Sequence, residues 1–128
     1  MAAQSSSEAV VTVDVHTAKD LLASGQYSYL DVRIPELFNK GHVENALNVP
    51  FFLSTPEGRV KNPLFLEQVS SLCSKDDPLL VGCYSGGRSM LASVDLLNAG
   101  FKNTKNVGGG HSAWVEKGFP VQKATAEQ

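Results

Sequence analysis

The stretch Leu79-Leu80-Val81-Gly82-Cys83 is apolar without alternation, the pattern of a strand covered on both faces of a sheet rather than on one. It runs into Tyr84-Ser85-Gly86-Gly87, a glycine-bearing turn, and from Gly87 the spacing of Met90, Val94 and Leu97 predicts a helix over 87–98. A doubly covered strand needs helices above and below it, and the rest of the chain supplies them. Strands are expected at 10–15, 28–32, 47–49 and 104–107. Helices are expected at 17–23, from Pro35 with Leu37 and Phe38 on the buried side until Gly41, and at 112–117. A further helix is expected from an N-cap at Asn62, with Pro63 first and Leu66, Val69 and Leu72 as its apolar stripe, to about Cys73. Gly100 with Phe101 has the pattern of a left-handed cap whose next residue packs back, and 51–61 is expected to be a partly anchored loop. Strands alternating with helices imply an α/β fold: a mainly parallel central sheet with helices on both faces. Its ligand site should lie beyond the carboxyl ends of the strands, where Cys83 falls.

A chain of 128 residues suits one domain, 10–123, with the small polar ends 1–9 and 124–128 expected to be flexible. Lys plus Arg total 11 against 13 acidic residues without a block of like charge. That excludes a nucleic-acid surface and a polybasic membrane anchor, and leaves small molecules or proteins as partners. No apolar run approaches the ~20 residues of a membrane span. The opening Met1-Ala2-Ala3-Gln4-Ser5-Ser6-Ser7-Glu8 has neither the apolar core of a signal peptide nor the arginines of a transit peptide. A cytoplasmic monomer is therefore expected, with the chloroplast as the alternative for a chain preceded by a transit peptide. Cys73 and Cys83 are too few for a disulfide framework, so a reducing compartment and individual thiol chemistry are expected.

The end of an apolar strand followed by a helix start places the Cys83 thiol where backbone N–H groups converge. The partial positive charge of a helix N-terminus favours thiolate over thiol and can hold an anion beside it. Gly86 and Gly87 let the loop curl into a nest of N–H groups, and Arg88 adds a charge that does not titrate away. Ser85 and Ser89 can donate hydroxyl hydrogen bonds to an anion, and Tyr84 is expected to wall the mouth. The bland alternative is a buried, inert cysteine, since free cysteine packs as a small hydrophobe. That alternative is preferred for Cys73, which lies among Leu66, Val69 and Leu72 with no anion-binding turn. His16, His42 and His111 lack ligand spacing with the cysteines, so no metal is expected. Gly108-Gly109-Gly110 has no Lys-Ser/Thr after it and more simply permits close chain approach beside the site; Trp114 is most simply a core anchor.

The loop has the form Cys-X4-Arg, and two further segments share a pattern with it. Tyr29-Leu30-Asp31-Val32-Arg33 is followed by Glu36, Phe38, Gly41-His42-Val43, Ala46 and Asn48-Val49-Pro50; Val107-Gly108-Gly109-Gly110 is followed by Ser112-Ala113-Trp114, Gly118 and Phe119-Pro120. In this order the three motifs resemble the rhodanese (thiosulfate sulfurtransferase) family, most closely its single-domain plant proteins. The resemblance implies that Cys83 takes a sulfane sulfur from thiosulfate or a related donor, holds it as a persulfide, and passes it to a thiol, to cyanide or to a protein acceptor. It implies no cofactor. Tyr84, Ser85, Gly86, Gly87, Arg88 and Ser89 would then bind substrate, with Asp31, Arg33, His42 and Trp114 supporting the site from behind. Departures from the family pattern are Leu37 in place of a glutamate before the aromatic Phe38, Asn45 where glycine is common, and His111 in place of an aromatic residue after the glycines. Two alternatives stay open. One is a cysteine phosphatase or arsenate reductase on a related fold, whose phosphatase loops have the longer Cys-X5-Arg; the other is a non-catalytic interaction module, which would be expected to lose the cysteine that this chain keeps.

Overall fold

The computed structural model describes residues 10–123. Five strands form one parallel sheet in the order β1 (Val11–Val13), β8 (Thr104–Val107), β7 (Leu79–Gly82), β2 (Ser28–Asp31) and β4 (Leu47–Asn48). The unalternating apolar run is the central strand β7, and Leu79, Leu80 and Val81 are all fully buried. Its successive side chains point to opposite faces. Leu79 and Val81 enter a cluster with Phe65 and Val69 of α3 (Phe65–Leu72) and with Ala92 and Leu96 of α4 (Gly87–Asn98). Leu80 enters the other cluster, with Val15 and Ala18 of α1 (Val15–Ala23) and Trp114 of α5 (Gly110–Glu116). The expected α/β sheet with helices on both faces is thus present, and every strand of it leaves its carboxyl end on one side.

Several local expectations are corrected. Val15 is helical rather than extended, because the Asp14 carboxylate accepts the Thr17 N–H (2.8 Å) and caps α1 there. Asn62 does not cap α3: its side chain accepts from Leu64 N–H (3.0 Å) and its carbonyl from Phe65 N–H (3.1 Å), making a turn that precedes the helix. In α3 Leu66 and Leu72 are exposed, and the core is met instead by Phe65, Val69 and the following Cys73. In α2 (Pro35–Lys40) Leu37 is exposed and Phe38 half-buried. In α4 the buried stripe is Ser89, Ala92, Ser93 and Leu96, not Met90, Val94 and Leu97, because small residues let the helix lie close to the sheet. Segment 51–61 is an antiparallel hairpin, β5 (Phe52–Thr55) with β6 (Gly58–Lys61), rather than a loop. A second small ribbon, β3 (His42–Val43) with β9 (Val121–Gln122), was not expected. The α4 terminus does follow its sequence: Gly100 sits at φ +100°, Phe101 N–H reaches Leu96 C=O (2.9 Å), Gly100 N–H reaches Leu97 C=O (3.0 Å), and Phe101 is buried. The flexible ends expected at 1–9 and 124–128 lie outside the described residues. No helix among the described residues is long and apolar enough to cross a membrane.

Candidate active site

Strand β7 ends one residue before Cys83, at the carboxyl edge of the sheet. A side chain at Gly82 would occupy the place of the Tyr29 hydroxyl, so glycine is required immediately before the cysteine. Cys83 is 3% exposed, and its Sγ accepts the Gly86 N–H at 3.0 Å. Gly86 reaches that position with φ +111° as the residue before α4, a conformation that L side chains rarely adopt. The first intrahelical bond is Met90 N–H to Gly86 C=O (3.1 Å), so the N–H groups of Gly87, Arg88 and Ser89 precede the helical ladder and face the loop end of α4. The thiol therefore sits at the N-terminal end of α4 with one N–H aimed at it, where the helix dipole favours negative charge.

A second helix start closes the loop from the other side. His111 N–H donates to Cys83 C=O (2.8 Å) and Ser112 N–H to Tyr84 C=O (2.9 Å), so the loop carbonyls are consumed by α5. This contact explains the third glycine of the triplet, while Gly108 is crowded by Thr12 and Gly109 by Ala113. Gly110 sits at φ +53°, and a Cβ there would run into the carbonyl oxygens of Cys83 and Tyr84. Close approach, not phosphate binding, is what these glycines permit.

The loop residues divide by exposure. Tyr84 is 57% exposed at the rim; Ser85 and Gly87 are exposed, and Arg88 is half-buried with its guanidinium 5.9 Å from the Phe52 ring. Ser89 is a correction: its hydroxyl is buried and donates to the Asn106 side-chain oxygen on β8, so it is committed to the sheet and does not face an anion. Behind the loop, Arg33 and Asp31 form a buried two-point pair, Nη2 to Oδ2 at 2.7 Å and Nε to Oδ1 at 3.0 Å. Arg33 Nη2 also reaches Gly41 C=O (2.7 Å), which ties β2 to the end of α2. His42 is stacked flat on Phe38 with 3.8 Å between ring centroids and has Nδ1 2.8 Å from Phe38 C=O. Trp114 is buried and donates to Pro120 C=O (2.8 Å). Asp31 and Arg33 brace the end of β2 beside β7, His42 is held on Phe38, and Trp114 is an anchor of the core on the α1–α5 side of the sheet.

Three departures from the family pattern find places. Asn45 adopts φ +66°, the left-handed region that glycine occupies freely and asparagine tolerates, and its N–H bonds Gln122 (3.1 Å). Leu37 lines a small cleft with Arg88. Among the described residues nothing hydrogen-bonds the buried His111 Nδ1; burial pushes its pKa down, and the neighbouring Arg33 charge pushes the same way. Tyr29, buried beside Gly82, has its phenol pushed up, first by burial and then by Asp31. Cys73 packs in the core, and burial with the Asp77 charge pushes its thiol up, which keeps it protonated and unreactive. Sequence reasoning missed Tyr29, Phe52 and Arg59 as neighbours of the site. For Tyr29 the available signal was Gly82, a glycine inside an otherwise bulky strand; Phe52 and Arg59 came with the unexpected hairpin.

Comparison with known proteins agrees with this geometry. The model of the rhodanese-like domain matches residues 14–117. The chain is 53% identical over 122 residues to thiosulfate sulfurtransferase 18 of Arabidopsis thaliana, covering 94% of this chain and 89% of that protein. It is 56% identical over 116 residues to the mitochondrial protein HIGH ARSENIC CONTENT 1 of the same plant, covering 91% and 68%. A rhodanese-related protein from Thermoplasma volcanium superposes with a TM-score of 0.71 at 25% identity, covering 89% of this chain and 99% of that one. With the three motifs gathered around one loop at the carboxyl edge of a parallel sheet, the chain belongs to the rhodanese-like domain family.

Proposed function

We propose that the protein is a sulfurtransferase in which Cys83 carries the sulfur. The Cys83 thiolate attacks the sulfane sulfur of thiosulfate, the sulfur–sulfur bond of the donor breaks, and sulfite leaves with the electron pair. A Cys83 persulfide remains. An incoming thiolate or cyanide then attacks its outer sulfur and expels the Cys83 thiolate, giving a new persulfide or thiocyanate with no net oxidant or reductant. Each species is anionic, so fixed N–H donors stabilise all of them without a general base. In comparable anion holes one such donor is worth ~2.7–4 kcal/mol. The observation that carries this reading is the Gly86 N–H aimed at Sγ from a helix start. A relative named thiosulfate sulfurtransferase over nearly the whole chain supports the donor. The chemistry requires a reducing compartment rather than the cytoplasm in particular, and one relative is named for the mitochondrion.

The test is thiosulfate-dependent transfer by wild type and Cys83→Ser, with intact mass after donor treatment. Wild type should gain about 32 Da, one sulfur, and Cys83→Ser should gain nothing and transfer nothing. Transfer that persists in Cys83→Ser, or an adduct located on Cys73, overturns the mechanism.

A further inference from the structure

The β5–β6 hairpin is fastened at its base. Phe51 N–H donates to Val32 C=O (3.0 Å), Asn62 N–H to Phe51 C=O (2.8 Å), and the Asn62 amide to Pro50 C=O (2.9 Å). Directly opposed residues of an antiparallel pair share a face, so Phe52, Ser54, Arg59 and Lys61 project together. That face looks at α4. Lys61 Nζ meets Asp95 at 2.6 Å, and the Arg88 guanidinium lies 5.9 Å from the Phe52 ring. Arg88 and Asp95 stand two turns apart on one side of the helix.

Charges match at one end of this contact and clash at the other. Lys61 faces Asp95, opposite signs; Arg59 and Arg88, like signs, both line a small cleft walled by Val32, Ile34, Leu37 and Phe52. The third guanidinium at the cleft, Arg33, is already consumed by Asp31 and Gly41 C=O. Among the described residues neither Arg59 nor Arg88 has a carboxylate partner. Two uncompensated cations beside an apolar wall repel each other, and an anion between them reverses the sign of that interaction. The cleft is tied to the reactive loop through Arg88, which lines it, and through Val32 on its wall, whose N–H donates to Gly82 C=O (2.9 Å), one residue before Cys83.

We propose that Arg59 is a substrate-positioning residue: with Arg88 it forms a two-guanidinium clamp that selects a doubly charged sulfane-sulfur donor, gripping its sulfonate end while the outer sulfur meets Cys83. This rests on the sulfurtransferase reading and adds to it a residue and a charge preference. Arg59 is exposed, on a hairpin held by other contacts, so its replacement leaves the fold intact.

Calorimetric titration of thiosulfate into Cys83→Ser protein reads the clamp without any transfer. Adding Arg59→Ala to that background should weaken binding about tenfold at low salt, and the difference should shrink at roughly 0.5 M salt, as expected for a solvent-exposed charge. In steady state Arg59→Ala should raise KM for thiosulfate about tenfold with kcat within about twofold, and Arg59→Lys should recover part of the loss. The KM for the monoanion methanethiosulfonate should change less than about threefold. Equal losses for the two donors, unchanged thiosulfate binding, or no measurable binding by Cys83→Ser overturns the clamp. Arg59-dependent binding in a protein whose Cys83 never takes up sulfur would instead overturn the transfer reading and leave the clamp standing.

Discussion

Among the described residues the buried Nδ1 of His111 has no hydrogen-bond partner, so protonating the ring would leave a charged N–H donor unsatisfied there. Burial and the Arg33 charge lower the folded pKa below the ordinary value of 6.5. Above pH 6.5 the ring is neutral in both folded and unfolded chains, and its contribution is fully present. As pH falls through 6.5 the unfolded chain takes up a proton that the folded chain resists, so stability declines until the folded value is passed. His111→Phe should remove that decline. Urea midpoints of both proteins between pH 7.5 and about 5 check this, and parallel curves would show that His111 is protonated in the fold at no cost. At this scale Cys83 was legible because its surroundings are local in sequence: a strand end, glycines and a helix start. Ser89 was not, because whether its hydroxyl meets an anion or Asn106 depends on how α4 is rotated on the sheet.

The elements around the site are joined by backbone rather than by side chains, with α5 donating to two carbonyls of the Cys83 loop. Gly110→Ala tests this junction, because its Cβ would enter the space of the Cys83 and Tyr84 carbonyls and its φ of +53° disfavours alanine. Backbone atoms cannot step aside as a flexible side chain does, so the loop must move. Expected is a loss of about 2 kcal/mol or more in denaturant titration together with at least a tenfold fall in sulfur transfer. Transfer at the wild-type rate would show that the α5 contact does not hold the loop. Element existence followed the sequence where the local signal was strong: the unbroken apolar run of β7, the length of α4 and the Gly100-Phe101 cap that ends it. The β5–β6 hairpin escaped because its Pro56-Glu57 turn lacks the usual glycine or asparagine signal and β6 is exposed throughout, leaving no alternation to detect. The two-residue strands β3 and β9 carry no period at all. The hairpin is the element that brings Arg59 to the cleft, so missing it meant missing that residue.

For the whole molecule, the Asp31–Arg33 pair is the tie between the sheet and the segment that follows α2. Both side chains are almost completely buried, at 2% and 4% exposure, and Arg33 spans from the Asp31 carboxylate to Gly41 C=O. Asp31→Asn keeps the shape but leaves a buried guanidinium without its counter-charge. The expected cost is about 3–5 kcal/mol in urea unfolding, and a cost below about 1 kcal/mol would mean that water reaches Arg33. By itself the sequence determined the layered α/β architecture, the position of Cys83 at the carboxyl edge and the glycine turn that leads from it into α4. Those follow from period, glycine placement and chain order, which are local quantities. Only the tertiary structure decided which faces of α3 and α4 are buried, that Ser89 serves the sheet, and that Arg59 and Arg88 line one cleft. Those depend on helix rotation and on contacts between distant segments, and the free energy that sets them is shared among many neighbours rather than carried by any one stretch of residues.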